Sequence, residues 1–298
     1  MPMALDLPGF PEKENQELVS VILTVYNVER WLKKTMESIL GQTWKNIEVI
    51  AIDDGSKDGS GAILKEAQRK DPRVRAVFTK NRGVSCARNL GLSLARGKYV
   101  YFCDSDDLMD PRLVEECLKA MKRYGAQIAM FKFDGINEFG KPVASFYPHN
   151  RYKSIEILTP REIIKKQIRG KIGGYLWSFL AEKKVYEGVE FPEGRLVEDT
   201  ARICHIFANA HRIVRLPEVL YHYRLHKSSL MRKEKMLMDW KKALKDRLEF
   251  VSKTFPDLRR WATIQTFSPL NFDYESVRQN IAIALRSKRE GKLSRRPK

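Results

Sequence analysis

The feature that most limits how this chain can fold is a rhythm. Short β-branched and aromatic runs alternate with stretches whose apolar residues recur at helical spacing. Val19 to Val25 is the first such run, and Leu32, Met36, Ile39 and Leu40 then share one helical face between Glu29 and Leu40. Ile47 to Ile52 reads as a second strand. A helix bearing Ile63, Leu64 and Ala67 follows, with Asp58 as its cap, and Val74 to Phe78 is a short third strand. Val84, Ala87, Leu90 and Leu94 mark the next helix, which closes at Gly97 before an apolar run to Cys103. Asp110 as cap and Pro111 as first helical residue predict another helix, with Val114, Cys117, Leu118 and Met121 inward and Gly125 as its stop. Gln127 to Phe133 completes the series as a strand. This order predicts an α/β domain with a mostly parallel central sheet and helices on both faces.

In such sheets ligands bind beyond the carboxyl ends of the strands. The predicted strands end there in polar, turn-forming groups: Tyr26-Asn27, Asp53-Asp54-Gly55-Ser56, and Asp104-Ser105-Asp106-Asp107. The clusters are expected to converge on one crevice. Carboxylates packed as closely as those in the last cluster repel unless protons, Lys/Arg or a divalent cation intervene. In extended backbone, side chains at i and i+2 point the same way, so Asp104 and Asp106 can address one ligand, which suggests Mg²⁺ or Mn²⁺. The competing explanation is that these acids only favour the start of the helix after Asp110-Pro111.

A chain of 298 residues is long enough for one large domain or a domain with a smaller appendage. No run approaches the length of a membrane span, and Met1 to Glu17 carries prolines and acids instead of a basic region and an apolar core, so a cytoplasmic protein is expected. Cys86, Cys103, Cys117 and Cys204 show no CxxC spacing and read as free thiols. The formal net charge of +18 is the strongest anomaly, and it favours contact with phospholipid headgroups, nucleic acid or a phosphorylated substrate.

Beyond the first half, Phe139 to Gly174 has little periodicity and reads as loops flanking the site. Order returns at Tyr175 to Leu180, where Trp177 reads as a site wall or a packing residue. Val197-Glu198-Asp199-Thr200 leads into a helix through Ile203, Ile206 and Phe207. Tyr221 to Ser229 alternates aromatic and basic residues, as an exposed strand edge would. Glu234 to Phe255 reads as an amphipathic helix with Leu237, Trp240, Leu244, Leu248 and Val251 as its stripe. A further helix around Val277, Ile281 and Leu285 and a disordered tail from Arg286 to Lys298 are expected. The division is then a tail (1–17), a catalytic domain (18–231) and a basic helical region (232–298). For that basic region three uses compete: a solvated face, docking on an anionic membrane at the inner face of the cell membrane, and nucleic-acid binding, which has least support because no reader motif accompanies the charge.

Four segments in order resemble the signatures of family 2 glycosyltransferases of GT-A (Rossmann-like) fold: Val21 to Asn27, Asp53 to Asp58, Asn81 to Gly91 and Asp104 to Asp107. The resemblance covers Val19 to Phe133 firmly and weakens from Trp177 to Met231. It implies a nucleotide-sugar site built from Thr24, Tyr26, Asn27, Asp53, Arg82, Arg88, Asp104 and Ser105. Within it Tyr26 would stack on a base, Asp53 would accept from a pyrimidine N–H, and Arg88 would reach the diphosphate or brace the carboxylates. Asp54 would hold only the Gly55-Ser56 turn. Asp106 would ligate Mn²⁺ or Mg²⁺, with Asp104 joining through the ribose or a bound water, His222 or His226 as a further ligand, and Asp107 structural. Asp199, in a Glu-Asp pair like the family's, would be the base for the acceptor hydroxyl.

The resemblance implies an inverting, metal-dependent transferase that moves a sugar, from a UDP-sugar by preference, to a hydroxyl of a glycan, lipid-linked or protein-bound acceptor in cell-surface glycan synthesis. Two rivals remain at this level. A sugar-1-phosphate nucleotidyltransferase would want a Gly-rich loop after the first strand, where Thr24-Val25-Tyr26-Asn27-Val28 has no glycine. A basic peripheral protein that binds a nucleotide sugar without turnover would not need Asp104, Asp106 and Asp199 together.

Overall fold

The computed structural model describes residues 17–143, 152–226 and 234–267. The expected N-terminal tail before Glu17, the segment Lys227 to Lys233, the helix around Val277 and the tail to Lys298 lie outside the described residues.

In chain order the elements are β1 (Val19–Val25), α1 (Glu29–Leu40), β2 (Ile47–Asp53), α2 (Ser60–Lys70), β3 (Val74–Phe78), α3 (Val84–Leu94) and β4 (Tyr99–Asp104). There follow β5 (Leu108–Met109), α4 (Leu113–Tyr124), β6 (Ile128–Asn137), β7 (Pro142–Val143), β8 (Glu156–Leu158), α5 (Pro160–Ile168) and β9 (Phe179–Glu182). The last are α6 (Glu198–Asn209), β10 (Ile213–Leu225), α7 (Glu234–Thr254) and α8 (Arg259–Phe267). One sheet carries the order β3-β2-β1-β4-β9-β6-β10-β5. The strands β3, β2, β1 and β4 are parallel, as the alternation predicts, and β9 then enters antiparallel between β4 and β6.

Every residue of β2 is buried, which is why it reads as a continuous apolar run with only Glu48 and Asp53 interrupting it. Glu48 is held by Ser20 Oγ at 2.6 Å and by Arg96, so its charge is paired where it is covered. One core layer gathers Val21, Leu23, Leu32, Met36 and Leu113 under α1 and α4. The other gathers Ile22, Ile50, Phe102, Ile163 and Phe207 under α3, α5 and α6. Register matters most at the carboxyl ends: Val25 pairs with Asp53 and Thr24 with Asp104, so the three polar clusters start level with one another.

Several local expectations are corrected. Asp110 Oδ1 does accept from Arg112 N at 2.9 Å, but the helix begins at Leu113, two residues past Pro111. Gly125 stops α4 in the left-handed conformation with φ 60°, as expected of a glycine there. The span read as loops holds β7, β8 and α5. The signal for α5 was present: Thr159 Oγ1 accepts from Glu162 N while Glu162 accepts from Thr159 N, a capping box with Pro160 at the first helical position. The Tyr221 to Leu225 run is no exposed edge: it pairs with β6 throughout, Tyr221 and His222 also pair with β5, and Tyr221, Arg224 and Leu225 are buried.

The C-terminal helices pack on α6. Trp240 and Leu244 of α7 join Val197, while Val251, Leu258 and Ala262 join the core beneath α6. Among the described residues of the α7 stripe, Trp240, Leu244 and Val251 are thus covered by the protein; the side chain of Leu237 lies outside the described residues. No described helix is long and apolar enough to cross a membrane. All four cysteines are free, three of them buried.

His205 on α6 stacks on Phe250 of α7 with ring centroids 3.7 Å apart. Desolvation, with help from Arg202 and against the pull of Asp246, holds its pKa down to about 4. A depressed folded-state pKa means that its contribution is whole above the ordinary value near 6.5 and is lost as pH falls towards 4. Stability is expected to drop by about 1 kcal/mol between pH 7 and pH 5, a figure discounted for the partial exposure of the ring. Urea midpoints at the two pH values check this, and His205→Leu should flatten the difference.

Candidate active site

The crevice is assembled from four loops at the carboxyl ends of the parallel strands. After β1 the chain turns through Asn27, whose φ of 53° is left-handed, a conformation asparagine tolerates better than most residues. Asn27 is fully engaged with the second loop. Its N–H donates to Ser56 Oγ at 3.0 Å and its Oδ1 accepts from Lys57 N at 2.8 Å. Tyr26 beside it is 46% exposed, with its ring uncovered by the core. Thr24 sits level with Asp104 on the neighbouring strand.

In the second loop the turn expected of Asp54 is held by its neighbour. Asp53, not Asp54, holds the turn, its Oδ1 accepting from Ser56 N at 2.9 Å. Asp54 instead accepts from Arg82 N at 2.9 Å and Gly83 N at 2.7 Å, fixing the start of α3 against the loop. Arg82 reaches outward to Glu193 at 3.2 Å.

Arg88 lies one turn further along α3 and is 7% exposed. One amino group meets Asp104 Oδ1 at 3.3 Å and the other meets Glu198 on the first turn of α6. Arg88 thus braces Asp104, and its second partner is Glu198, the neighbour of Asp199 in the Glu-Asp pair. A glutamate at a helix start carries no signal of a partner far away in the chain. Burial pushes the Asp104 carboxyl up to about 6 against the pull of Arg88, and the charges of Asp106 and Asp199 add to the rise. Burial likewise raises Asp199, again against Arg88. Asp199 Oδ1 accepts from Thr200 N at 2.6 Å.

Asp107 is fully buried and structural. It accepts from the Tyr221 hydroxyl at 2.8 Å and from Arg224 N at 2.6 Å. Burial, then Asp106 and Asp104, raise its pKa well above the carboxylate range. Ser105 is buried, and its carbonyl accepts from Thr35 Oγ1 at 3.0 Å. Arg224, 2% exposed, donates Nε to the Asp106 carbonyl at 2.5 Å, so β10 grips the backbone of the acidic loop directly.

Asp106 and His226 come together, with Nε2 2.7 Å from Oδ2. The His226 ring rests against Trp31, centroids 4.2 Å apart. His222 is not part of this group. Its Nδ1 is 2.6 Å from Asp134 Oδ1, and that hydrogen bond raises its pKa. Among the described residues no set of three His, Cys, Asp or Glu side chains could hold a metal ion by itself. The Asp106 carboxylate suits Mn²⁺ or Mg²⁺, and the His226 imidazole fits the softer Mn²⁺ better, as part of a coordination shell that a phosphorylated ligand and water would complete. Trp177 is a core residue. It stacks between Tyr175 and Tyr221, at 4.9 and 4.7 Å, and is 5% exposed.

Comparison with known proteins agrees with this architecture. Glycosyltransferase GlyA of Streptococcus pneumoniae serotype 4 is 34% identical over 221 residues, 72% of this chain and 31% of that protein. Glycosyltransferase GlyG of the same organism is 31% identical over 253 residues, 81% of this chain and 80% of its own length. This chain thus spans less than a third of the first relative and four-fifths of the second. Among solved structures, S. aureus TarS 1-349 in complex with UDP-GlcNAc shares the fold with a TM-score of 0.65 at 17% identity, over 93% of this chain and 92% of that one. The mannosyltransferase PcManGT from Pyrobaculum calidifontis, in complex with GDP-Man and Mn²⁺, gives 0.59 at 16% identity, over 90% and 75%. The family model described as glycosyl transferase family 2 matches residues 20–181. On fold, motif order and sequence match together, the chain belongs to glycosyl transferase family 2 and has the GT-A fold.

Proposed function

We propose that the protein transfers a sugar from a UDP-sugar to an acceptor hydroxyl with inversion, using a divalent cation, in the assembly of cell-surface glycans. The observation that carries this reading is Arg88. It joins Asp104 on the donor side to Glu198, and so brings Asp199, more than a hundred positions away in sequence, alongside the crevice.

Tyr26, exposed at the end of β1, is the surface on which a uracil would stack, and Asp53, beside it, the acceptor for the ring N–H. Arg82, half out in solvent, exchanges Glu193 for a phosphate when the donor arrives. Asp106 and His226 would hold the cation, and Asp104 would hold the ribose or a water beside it. A cation there supplies Lewis-acid stabilisation to the departing diphosphate. Asp199 takes the proton of the acceptor hydroxyl as it attacks the anomeric carbon from the face opposite the diphosphate, and one displacement inverts the configuration. Burial raises the Asp199 pKa, which makes its carboxylate a stronger base. The acceptor is a hydroxyl of a glycan, lipid-linked or protein-bound, presented on the cytoplasmic side of the membrane.

The test is UDP release from a panel of UDP-sugars with Mn²⁺, with and without EDTA, and the anomeric configuration of the product. Turnover is expected to collapse on chelation, return with Mn²⁺, and fall by about 10²-fold or more in Asp106→Ala. Release indifferent to EDTA would remove the metal, and retention of the donor's configuration would remove the single displacement.

A further inference from the structure

The loop that delivers Asp199, Phe191 to Val197, is held from two sides. At its start the hold comes from α3. Asn89 Nδ2 donates to Phe191 O and Asn89 Oδ1 accepts from Phe191 N, both at 2.9 Å, and Ser85 Oγ donates to Pro192 O at 2.7 Å. At its end the hold comes from α7. Asp239 Oδ2 accepts from Leu196 N at 3.2 Å, Asp246 pairs with Arg195, and Trp240 and Leu244 pack on Val197. Between the two anchors stands Gly194 with φ 72°, a backbone position that imposes little of its own order.

Asp239 is 3% exposed, and among the described residues its other oxygen meets Lys242 at 3.8 Å. Burying a carboxylate costs free energy unless hydrogen bonds compensate it. Here the strongest compensation is a single backbone N–H, three residues ahead of Asp199. Such an arrangement adds little to packing that an apolar residue would not add. What it does fix is the position of one peptide group, and hence the entry of the chain into α6.

We propose that α7 is a working part of the active site, with Asp239 the positioning residue that sets where Asp199 stands relative to the donor side. The inference rests on the reading of Asp199 as the base. On this view the basic C-terminal region is no appendage: Arg88 fixes the first turn of α6 from the donor side, and α7 fixes the peptide that precedes it. With only one of these holds, the first turn of α6 shifts. A displacement of about 1 Å at a reacting group is enough to cost up to about 10²-fold in rate.

The experiment uses the full chain with Asp239→Ala and Asp239→Asn. Three quantities are read: amide hydrogen exchange across Phe191 to Thr200, UDP affinity by calorimetry, and kcat for UDP release from UDP-GlcNAc. Asp239→Ala is expected to speed exchange at Leu196 and lower kcat by about tenfold to a hundredfold, with UDP affinity unchanged. Asp239→Asn keeps an oxygen for the Leu196 N–H and restores both. Unchanged exchange, unchanged kcat, or a loss in the alanine variant that asparagine does not rescue would overturn the proposal. Should Asp239→Ala fail to fold, Asp246→Ala at the half-exposed Arg195 pair carries the same comparison with a smaller loss. Normal turnover in Asp199→Asn would remove the base reading alone, and the exchange and rescue measurements would still decide the role of Asp239.

Discussion

Asp199→Asn is expected to lower transfer by about 10²- to 10⁴-fold while leaving UDP binding and the unfolding midpoint near those of the parent. The substitution keeps size and shape, and the amide oxygen can still accept from Thr200 N, so the first turn of α6 stays formed. What is lost is the capacity to take a proton. The neighbouring Glu198 is a poor replacement, because its carboxylate is 3% exposed and its Oε1 is tied to Arg88. Initial rates of UDP release with acceptor, set beside calorimetric UDP titrations, separate chemistry from binding. A variant that keeps its rate would show that the acceptor proton leaves by another route.

Arg88→Ala is expected to lose both stability and activity. The guanidinium is 7% exposed and faces two carboxylates, so its removal leaves Glu198 buried without a countercharge and Asp104 without its attractive neighbour. Breaking a buried pair on one side costs about 3–5 kcal/mol, more than the pair itself contributes. Arg88→Lys is expected to recover only a minor part, because its three donors sit on one nitrogen, whereas the fork places Nη2 against Asp104 and Nη1 against Glu198. Arg88→Met combined with Glu198→Gln should recover stability without activity, since the orphaned charge is gone while Asp104 and the start of α6 remain untied. Urea unfolding of the three variants measures this. A lysine variant as stable and active as the parent would mean that one positive charge suffices and the fork geometry is dispensable.

The elements legible from sequence were those whose pattern is local. The apolar runs of β1, β2 and β4 announce burial on both faces, and the periodicity of α1, α3 and α4 announces a covered stripe. The capping box at Thr159 and Glu162 was equally local, and α5 escapes notice only because the polar residues around it mask a short helix. Trp177 and the Tyr221 run were harder for a different reason. An aromatic residue at a strand end looks the same whether it lines a ligand or stacks on other rings, as Trp177 does on Tyr175 and Tyr221.

By itself the sequence determined the strand–helix order, the acidic loop after β4 and the family. Those follow from near-neighbour spacing, which fixes what an element can bury and where its polar end must lie. Only the tertiary structure decided the partners: that Arg88 reaches Glu198, that His226 and not His222 meets Asp106, that Asp53 and Asp54 divide their duties as they do, and that the stripe of α7 closes on the loop ahead of Asp199. Each of these is a contact between charged or polar groups far apart in the chain. Their pairing is set by the sheet register and helix packing that carry them, and no local pattern encodes it.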